Sequence, residues 1–292
     1  MEVVKPVKRN VLLNPGPATT SDAVKYAQVI PDICPREQEF VDIMTRVRKD
    51  LVKVVHGDPE KYTSVIFTGS GTIVQDVLVN SLVPEGKKIM VVNNGAYAAR
   101  MVKIAKYYHI DCVDLQSSTT GLPDLDAVKK AIEEDKDIAV VAAVHHETGT
   151  GVLNPVREIG QIAHDNDCIF IVDTISTYGL RPIDIEEENI DFLMSSAQKG
   201  LAAMTGASWT VGNIKAIEKS KDYPTRSYYC NLFMQYDFFN RVGEMHFTPP
   251  VQTIYALAQA IKEYFEEGEQ NRWNRLQKCW EAIHKGLEQI GL

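Results

Sequence analysis

Short apolar runs recur along the chain with amphipathic stretches between them. Ser64–Phe67, Lys88–Val92, Ile110–Leu115, Ile138–Val144, Cys168–Val172, Ile190–Met194 and Ala207–Val211 are strand-sized and β-rich. Most are continuously apolar rather than alternating, as expected for strands covered on both faces. Phe40, Ile43, Met44, Val47, Leu51, Val54 and Val55 recur at three- and four-residue steps and place one apolar stripe on a helix. Ile73–Leu82, Leu125–Ile132 and Val156–Ala163 read as helices too, with Asn154-Pro155 at the start of the last. This alternation predicts an α/β fold, a mostly parallel seven-stranded sheet between helices.

Beyond Pro250 the strand signal stops. Thr253–Phe265 and Arg272–Ile290 read as two helices joined near Gly268. A domain boundary is expected at Pro249-Pro250, dividing residues 1–249 from residues 250–292.

Composition narrows the function classes. The 292 residues allow about two domains of roughly 150 residues each. A formal net charge of −8 excludes bulk nucleic-acid binding by charge and offers no polybasic patch to a membrane. The longest apolar runs fall far short of the ~20 residues that cross a bilayer. The start, Met-Glu-Val-Val-Lys-Pro, lacks the pattern of a secretory leader. The 5 cysteines (Cys34, Cys112, Cys168, Cys230, Cys279) are scattered and never form a CxxC pair. That usage fits a reducing cytoplasm rather than a disulfide framework or a zinc site.

Three positions carry candidate chemistry. Phe67-Thr-Gly-Ser-Gly-Thr72 joins a strand to a helix. It is either a phosphate cradle at a helix N-terminus or a tight capped turn, and it lacks the Lys-Ser/Thr of a Walker loop. Ile169-Phe-Ile-Val-Asp173 ends a buried strand in a carboxylate, placed where α/β proteins bind ligands or else capping the next turn. Lys199 follows Phe192–Gln198 and is either a desolvated nucleophile or a surface lysine. Together they form one chemical set. Pyridoxal 5'-phosphate needs a phosphate cradle, an amine for its aldehyde and an anion for its ring nitrogen. Tyr97, in Asn93-Asn-Gly-Ala-Tyr97, offers a face for ring stacking, or is a core tyrosine. His145-His146-Glu147 suggests a metal site, but adjacent strand residues point to opposite faces, so a structural or cofactor-neighbour role is expected there and no metal. Trp209, Trp273 and Trp280 read as packing aromatics.

Seven motifs in order then carry a resemblance. Leu12-Leu-Asn-Pro-Gly-Pro-Ala-Thr-Thr-Ser21, Thr68-Gly-Ser-Gly-Thr72, Asn94-Gly-Ala-Tyr97, His146-Glu-Thr-Gly-Thr-Gly151, Val172-Asp-Thr-Ile-Ser176, Ser195-Ser-Ala-Gln-Lys199 and Phe247-Thr-Pro-Pro250 resemble the class V, fold-type I pyridoxal-phosphate aminotransferases. The likeness is strongest to the 2-aminoethylphosphonate–pyruvate transaminases, with alanine–glyoxylate and serine–pyruvate aminotransferases next. It implies that Lys199 forms the Schiff base and moves the Cα proton, and that Asp173 pairs with the pyridinium nitrogen. It implies that Ser70, Gly71 and Thr72 hold the phosphate with help from Gln198, that Thr148 lies near the ring oxygen, and that Tyr97 stacks on the ring. Thr248 resembles a residue that reaches the neighbouring subunit's cofactor, which implies a homodimer. Asn14, Gly16 and Arg36 are candidate substrate contacts; Arg36 is alternatively ion-paired with Glu37, Glu39 or Asp42.

The implied reaction moves an amino group from 2-aminoethylphosphonate to pyruvate, giving phosphonoacetaldehyde and alanine. An alternative keeps the cofactor and takes alanine or serine with glyoxylate or pyruvate. A third reading is an inactive, cofactor-binding dimeric module. Such relatives continue into a small sheet-containing domain whose arginine grips the substrate anion, and no residue here matches that arginine. Residues 250–292 are therefore expected to be the helical start of a truncated small domain. Gly200-Leu-Ala-Ala-Met-Thr-Gly206 is also less proline- and glycine-rich than its counterparts, which bears on the loop over the cofactor.

Overall fold

Helices and strands alternate through most of the chain in a computed structural model that describes residues 10–291. After α1 (Asp22–Tyr26) and α2 (Gln38–Lys53) come β1 (Tyr62–Gly69), α3 (Gly71–Leu82), β2 (Lys88–Asn93), α4 (Ala96–Tyr107) and β3 (Cys112–Gln116). Then follow α5 (Leu125–Glu134), β4 (Ile138–Val144), a hairpin of β5 (His146–Glu147) and β6 (Val152–Leu153), α6 (Val156–His164) and β7 (Ile169–Asp173). β8 (Phe192–Ser196), β9 (Gly206–Asn213), α7 (Ile214–Lys219), α8 (Leu232–Val242), α9 (Val251–Glu267) and α10 (Glu269–Gln289) complete the order.

The main sheet has seven strands in the order β1-β9-β8-β7-β4-β2-β3. β9 pairs antiparallel with both β1 and β8, and every other neighbouring pair is parallel. β9 alone therefore runs against the rest. Each predicted strand overlaps an observed one, and the mostly parallel sheet between helices is present. Its central strands are covered on both sides: β4 buries all but one residue and β8 all five. The stripe on α2 is buried through Phe40, Met44, Val47 and Leu51. α5 starts at Asp124, whose carboxylate accepts from the Asp126 and Ala127 N–H groups.

The change of character at Pro249-Pro250 does not coincide with a break in packing. α9 buries Ile254, Leu257 and Ile261 in the same core as the sheet, and Tyr255 lies 6.5 Å from Phe40 of α2. α10 behaves differently. Only Arg272 is buried along it, and Ile283 and Ile290 are exposed. Trp209 is a core residue, edge-on to Tyr178 at 5.3 Å. Trp280, expected to pack, is 60% exposed, its ring 5.2 Å from that of His284 one turn further along α10.

This topology assembles one edge. β1, β2, β3, β4, β7 and β8 all end there, and reversed β9 begins there, pairing Gly206 with Gly69. Ligands of open α/β sheets bind at this carboxyl edge.

Candidate active site

Asp173 closes β7 and is 2% exposed. Both its oxygens are held: Gln75 Nε2 of α3 donates to Oδ2 at 2.6 Å and the Ile175 N–H donates to Oδ1 at 2.9 Å. Burial pushes the carboxyl up to about 6, against the pull of these two hydrogen bonds. The Glu147 charge adds to the rise and the Arg100 charge opposes it. A cation beside Asp173 would return it to carboxylate.

Lys199 lies in the turn that leaves β8, half-buried. Its Nζ donates to the Pro15 carbonyl at 3.2 Å. Burial lowers the ammonium pKa, and Asp173 pulls it back up. The N-terminal segment is tied to this turn by the Ala18 N–H, which donates to the Gln198 carbonyl at 2.8 Å. Gly16 is needed where it stands: a Cβ there would lie 2.5 Å from Lys199 Nζ, and φ is +137°.

The N-terminus of α3 opens on the same edge. Ser70 takes the cap position in extended conformation without a side-chain cap bond. Gly71 is buried against Ile175 and the Ser196 hydroxyl, which a Cβ would approach to 2.6 and 3.2 Å. Arg100 of α4 bridges two expected site residues. Its Nη1 donates to Thr72 Oγ1 at 3.1 Å, and its guanidinium carbon sits 4.7 Å from the Tyr97 ring centroid. Thr148 is half-buried in the β5–β6 turn.

Several buried polar atoms at this edge have no partner: Thr68 Oγ1, Gln75 Oε1, Glu147 Oε1, Ser196 Oγ and Gln198 Oε1. Buried polar atoms are nearly always satisfied, so such a group marks a place for a polar ligand. Hydroxyls, a helix N-terminus, an amine and a carboxyl form a donor and acceptor set that fits pyridoxal 5'-phosphate.

Other expected residues lie elsewhere or are otherwise engaged. Asn14 is exposed in the loop whose Pro15 and Gly16 touch Lys199. Arg36 bonds Glu244 and the Met245 carbonyl, each at 2.6 Å, and not Glu37, Glu39 or Asp42. Thr248 is exposed ahead of α9 and bonds none of the site residues among those described. The two adjacent histidines engage different partners. His145 bonds Thr177 at 3.0 Å and Arg181 at 2.7 Å, and His146 bonds Ser176 at 3.3 Å.

Gln75, Arg100 and Ser196 carry no signal of a site role in the sequence: Gln75 and Arg100 are ordinary polar residues of helices, and Ser196 lies inside Ser195–Lys199 beside the lysine. Glu147 is legible only as a structural or cofactor-neighbour residue.

Comparison with known proteins bears on the family and the fold. The family description "Aminotransferase class-V" matches residues 22–292. The bifunctional phosphonoacetaldehyde hydrolase/aminoethylphosphonate transaminase of Clostridioides difficile is 34% identical over 96% of this chain, which spans only 44% of that protein. The 2-aminoethylphosphonate–pyruvate transaminase of Lysinibacillus sphaericus is 34% identical over 88% of this chain and 70% of that one. The crystal structure of an alanine–glyoxylate aminotransferase from Nostoc sp. superposes with a TM-score of 0.91 at 26% identity, covering 100% of this chain and 77% of that one. A sheet of this order, a lysine and a carboxylate on its carboxyl edge, and a family match running from α1 onward lead to one conclusion: the chain belongs to the class-V aminotransferases.

Proposed function

We propose that the protein is a pyridoxal-phosphate-dependent transaminase that passes an amino group from 2-aminoethylphosphonate to pyruvate, giving phosphonoacetaldehyde and alanine. The observation that carries this reading is the placement of Lys199. Its amine is half-buried against Pro15 and Gly16, on the sheet edge that also holds Asp173 and the unpartnered hydroxyls. The names of the relatives, at 34% identity, supply the substrate pair.

When bound, pyridoxal phosphate supplies an aldehyde for the amino group and a ring that draws electron density from the amine-bearing carbon. Lys199 Nζ, its pKa lowered by burial, is the nucleophile, and later moves the proton at that carbon. Asp173, locked by Gln75 and Ile175, holds the proton on the ring nitrogen. Ser70, Gly71 and Thr72 at the start of α3 take the phosphate, with Gln198 beside them. Tyr97 would cover the ring and Thr148 would lie near its oxygen. In a homodimer exposed Thr248 would reach the site of a second copy, and Asn14 and Gly16 would face the substrate. Arg36, tied to Glu244 and the Met245 carbonyl, would join them only by releasing those partners. In this reading the enzyme works in the cytoplasm, where its five free cysteines stay reduced. No helix among the described residues is long and apolar enough to cross a membrane.

The 26%-identical Nostoc neighbour favours a second reading, with alanine or serine as donor and glyoxylate or pyruvate as acceptor. Titrating the loaded protein separates the two. Bleaching of the cofactor band by 2-aminoethylphosphonate and its return with pyruvate supports the first. A response to alanine or serine but not the phosphonate replaces it with the second. Cofactor uptake without turnover of any donor leaves the inactive binding module.

A further inference from the structure

Glu147 is a carboxylate with 0% exposure, and the chemistry above makes no use of it. It lies on β5, fixed by pairing with Val152 and by the Gly151 N–H, which donates to its carbonyl at 2.8 Å. Its Oε2 accepts from the Tyr97 N–H at 3.3 Å. Tyr97 is the second residue of α4, a helix whose cap position is Gly95 and whose first turn contains no acidic residue. A helix start leaves N–H groups without internal partners, and its dipole favours a negative charge there. Glu147 meets both needs from another element.

Gly95 shows how closely the two are fitted. Its φ of 178° is extended backbone open to any residue, so conformation does not demand glycine. Space does: a Cβ would overlap Glu147 Cγ and Cδ and come within 2.6 Å of Oε2. Arg100 holds the opposite side of the unit, lying over the Tyr97 ring and bonding Thr72.

We propose that Glu147 is a positioning residue that caps α4 from the β5–β6 hairpin and thereby sets Tyr97 in the cofactor site, with Gly95 kept small to admit it. The proposal rests on the cofactor reading for its consequence but not for its geometry. The charge of the same side chain also raises the proton affinity of Asp173.

The test compares Glu147→Ala, Glu147→Gln, Gly95→Ala and the Gly95→Ala/Glu147→Ala pair. In cofactor-free protein, amide exchange at Tyr97 should accelerate about tenfold in Glu147→Ala and Gly95→Ala, with the β4 amides unchanged. Glu147→Gln keeps an acceptor oxygen and should restore most of the protection. The pair should be no worse than Glu147→Ala alone, because the overlap is gone. Pyridoxal phosphate, added as the probe, should bind about tenfold more weakly to Glu147→Ala than to wild type. Unchanged exchange at Tyr97, unchanged affinity, or additive effects in the pair would each overturn the proposal. Should Glu147→Ala not fold, the Gly95→Ala and Glu147→Gln arms decide it by the same readouts. Failure of wild type to take up the cofactor would overturn the functional reading instead, with the exchange arm still deciding the cap.

Discussion

Gln75 and Asp173, 98 residues apart in sequence, share a 2.6 Å hydrogen bond between α3 and the end of β7. The bond points one oxygen of a buried carboxyl at a helix whose N-terminus opens on the same edge. Gln75 Oε1 has no partner of its own, so this amide can turn to suit what stands opposite.

That freedom bears on Asp173→Asn. The folded carboxyl titrates at about 6, above its ordinary value of 3.8, so the folded state holds its proton more tightly than the unfolded chain. Stability from this group is full below the unfolded value and is lost as pH rises toward 6. At pH 8 the loss is of order 3 kcal/mol. Asp173→Asn removes it, and a turned Gln75 accepts from the new amide. Urea unfolding of cofactor-free protein should show the variant more stable at pH 8 and near wild type at pH 4. The same variant should lose at least about a hundredfold in turnover when loaded. An equal stability difference at both pH values would remove the burial argument.

Lys199→Ala should abolish turnover and the absorbance of covalently held cofactor while leaving the fold intact, because Nζ bonds only the Pro15 carbonyl among the described residues. Absorbance spectra and far-ultraviolet circular dichroism on one sample check both halves. An active Lys199→Ala protein ends the assignment.

Gly16→Ala adds a Cβ 2.5 Å from Lys199 Nζ at a φ of +137°. The side chain must swing away and the loop must strain. A stability loss of about 1–3 kcal/mol is expected from the backbone alone. Cofactor attachment, followed by its absorbance, should fall much further than stability. Equal attachment in the variant would show that this loop does not shape the amine's position.

His145 is buried neutral, its pKa pushed down to about 3 by burial, with Arg181 and His146 adding to the effect. The unfolded chain binds this proton near pH 6.5, so the stability from keeping the ring neutral is full above that value. It is lost as pH falls toward 3. At pH 4.5 the expected loss is about 3 kcal/mol. His145→Gln, which can still bond Thr177, should flatten unfolding stability between pH 7 and 4.5. An unchanged slope would assign acid sensitivity to other groups.

The sheet was legible because its strands are continuously apolar. Ile138–Val144 needs no context to be read as a covered strand, and its observed bounds are the same. Strand ends were less clear. Ile190 is buried, which extends the apolar run, yet β8 begins at Phe192 because Asp191 is turned to accept from the Phe170 N–H at 2.8 Å. The reversal of β9 left no local mark, since a buried strand reads alike in either direction. α4 carries no local start signal either: its cap position is Gly95, with no side-chain cap bond and no acidic residue in its first turn.

Within the site, residues next to a strand end could be named from the chain alone. Asp173 ends an apolar strand and Lys199 follows another, and Ser70, Gly71 and Thr72 sit where a strand gives way to a helix. Local hydrophobic pattern and glycine placement determine these, because they depend on neighbours in sequence. What holds Asp173, what spaces Lys199 and what anchors Tyr97 come from Gln75, Gly16 and Glu147, each on a different element. Hydrogen bonds act over about 3 Å of space irrespective of sequence distance. Only the folded sheet, with β9 turned back and the other six strands ending on one edge, decides which of these partners meet.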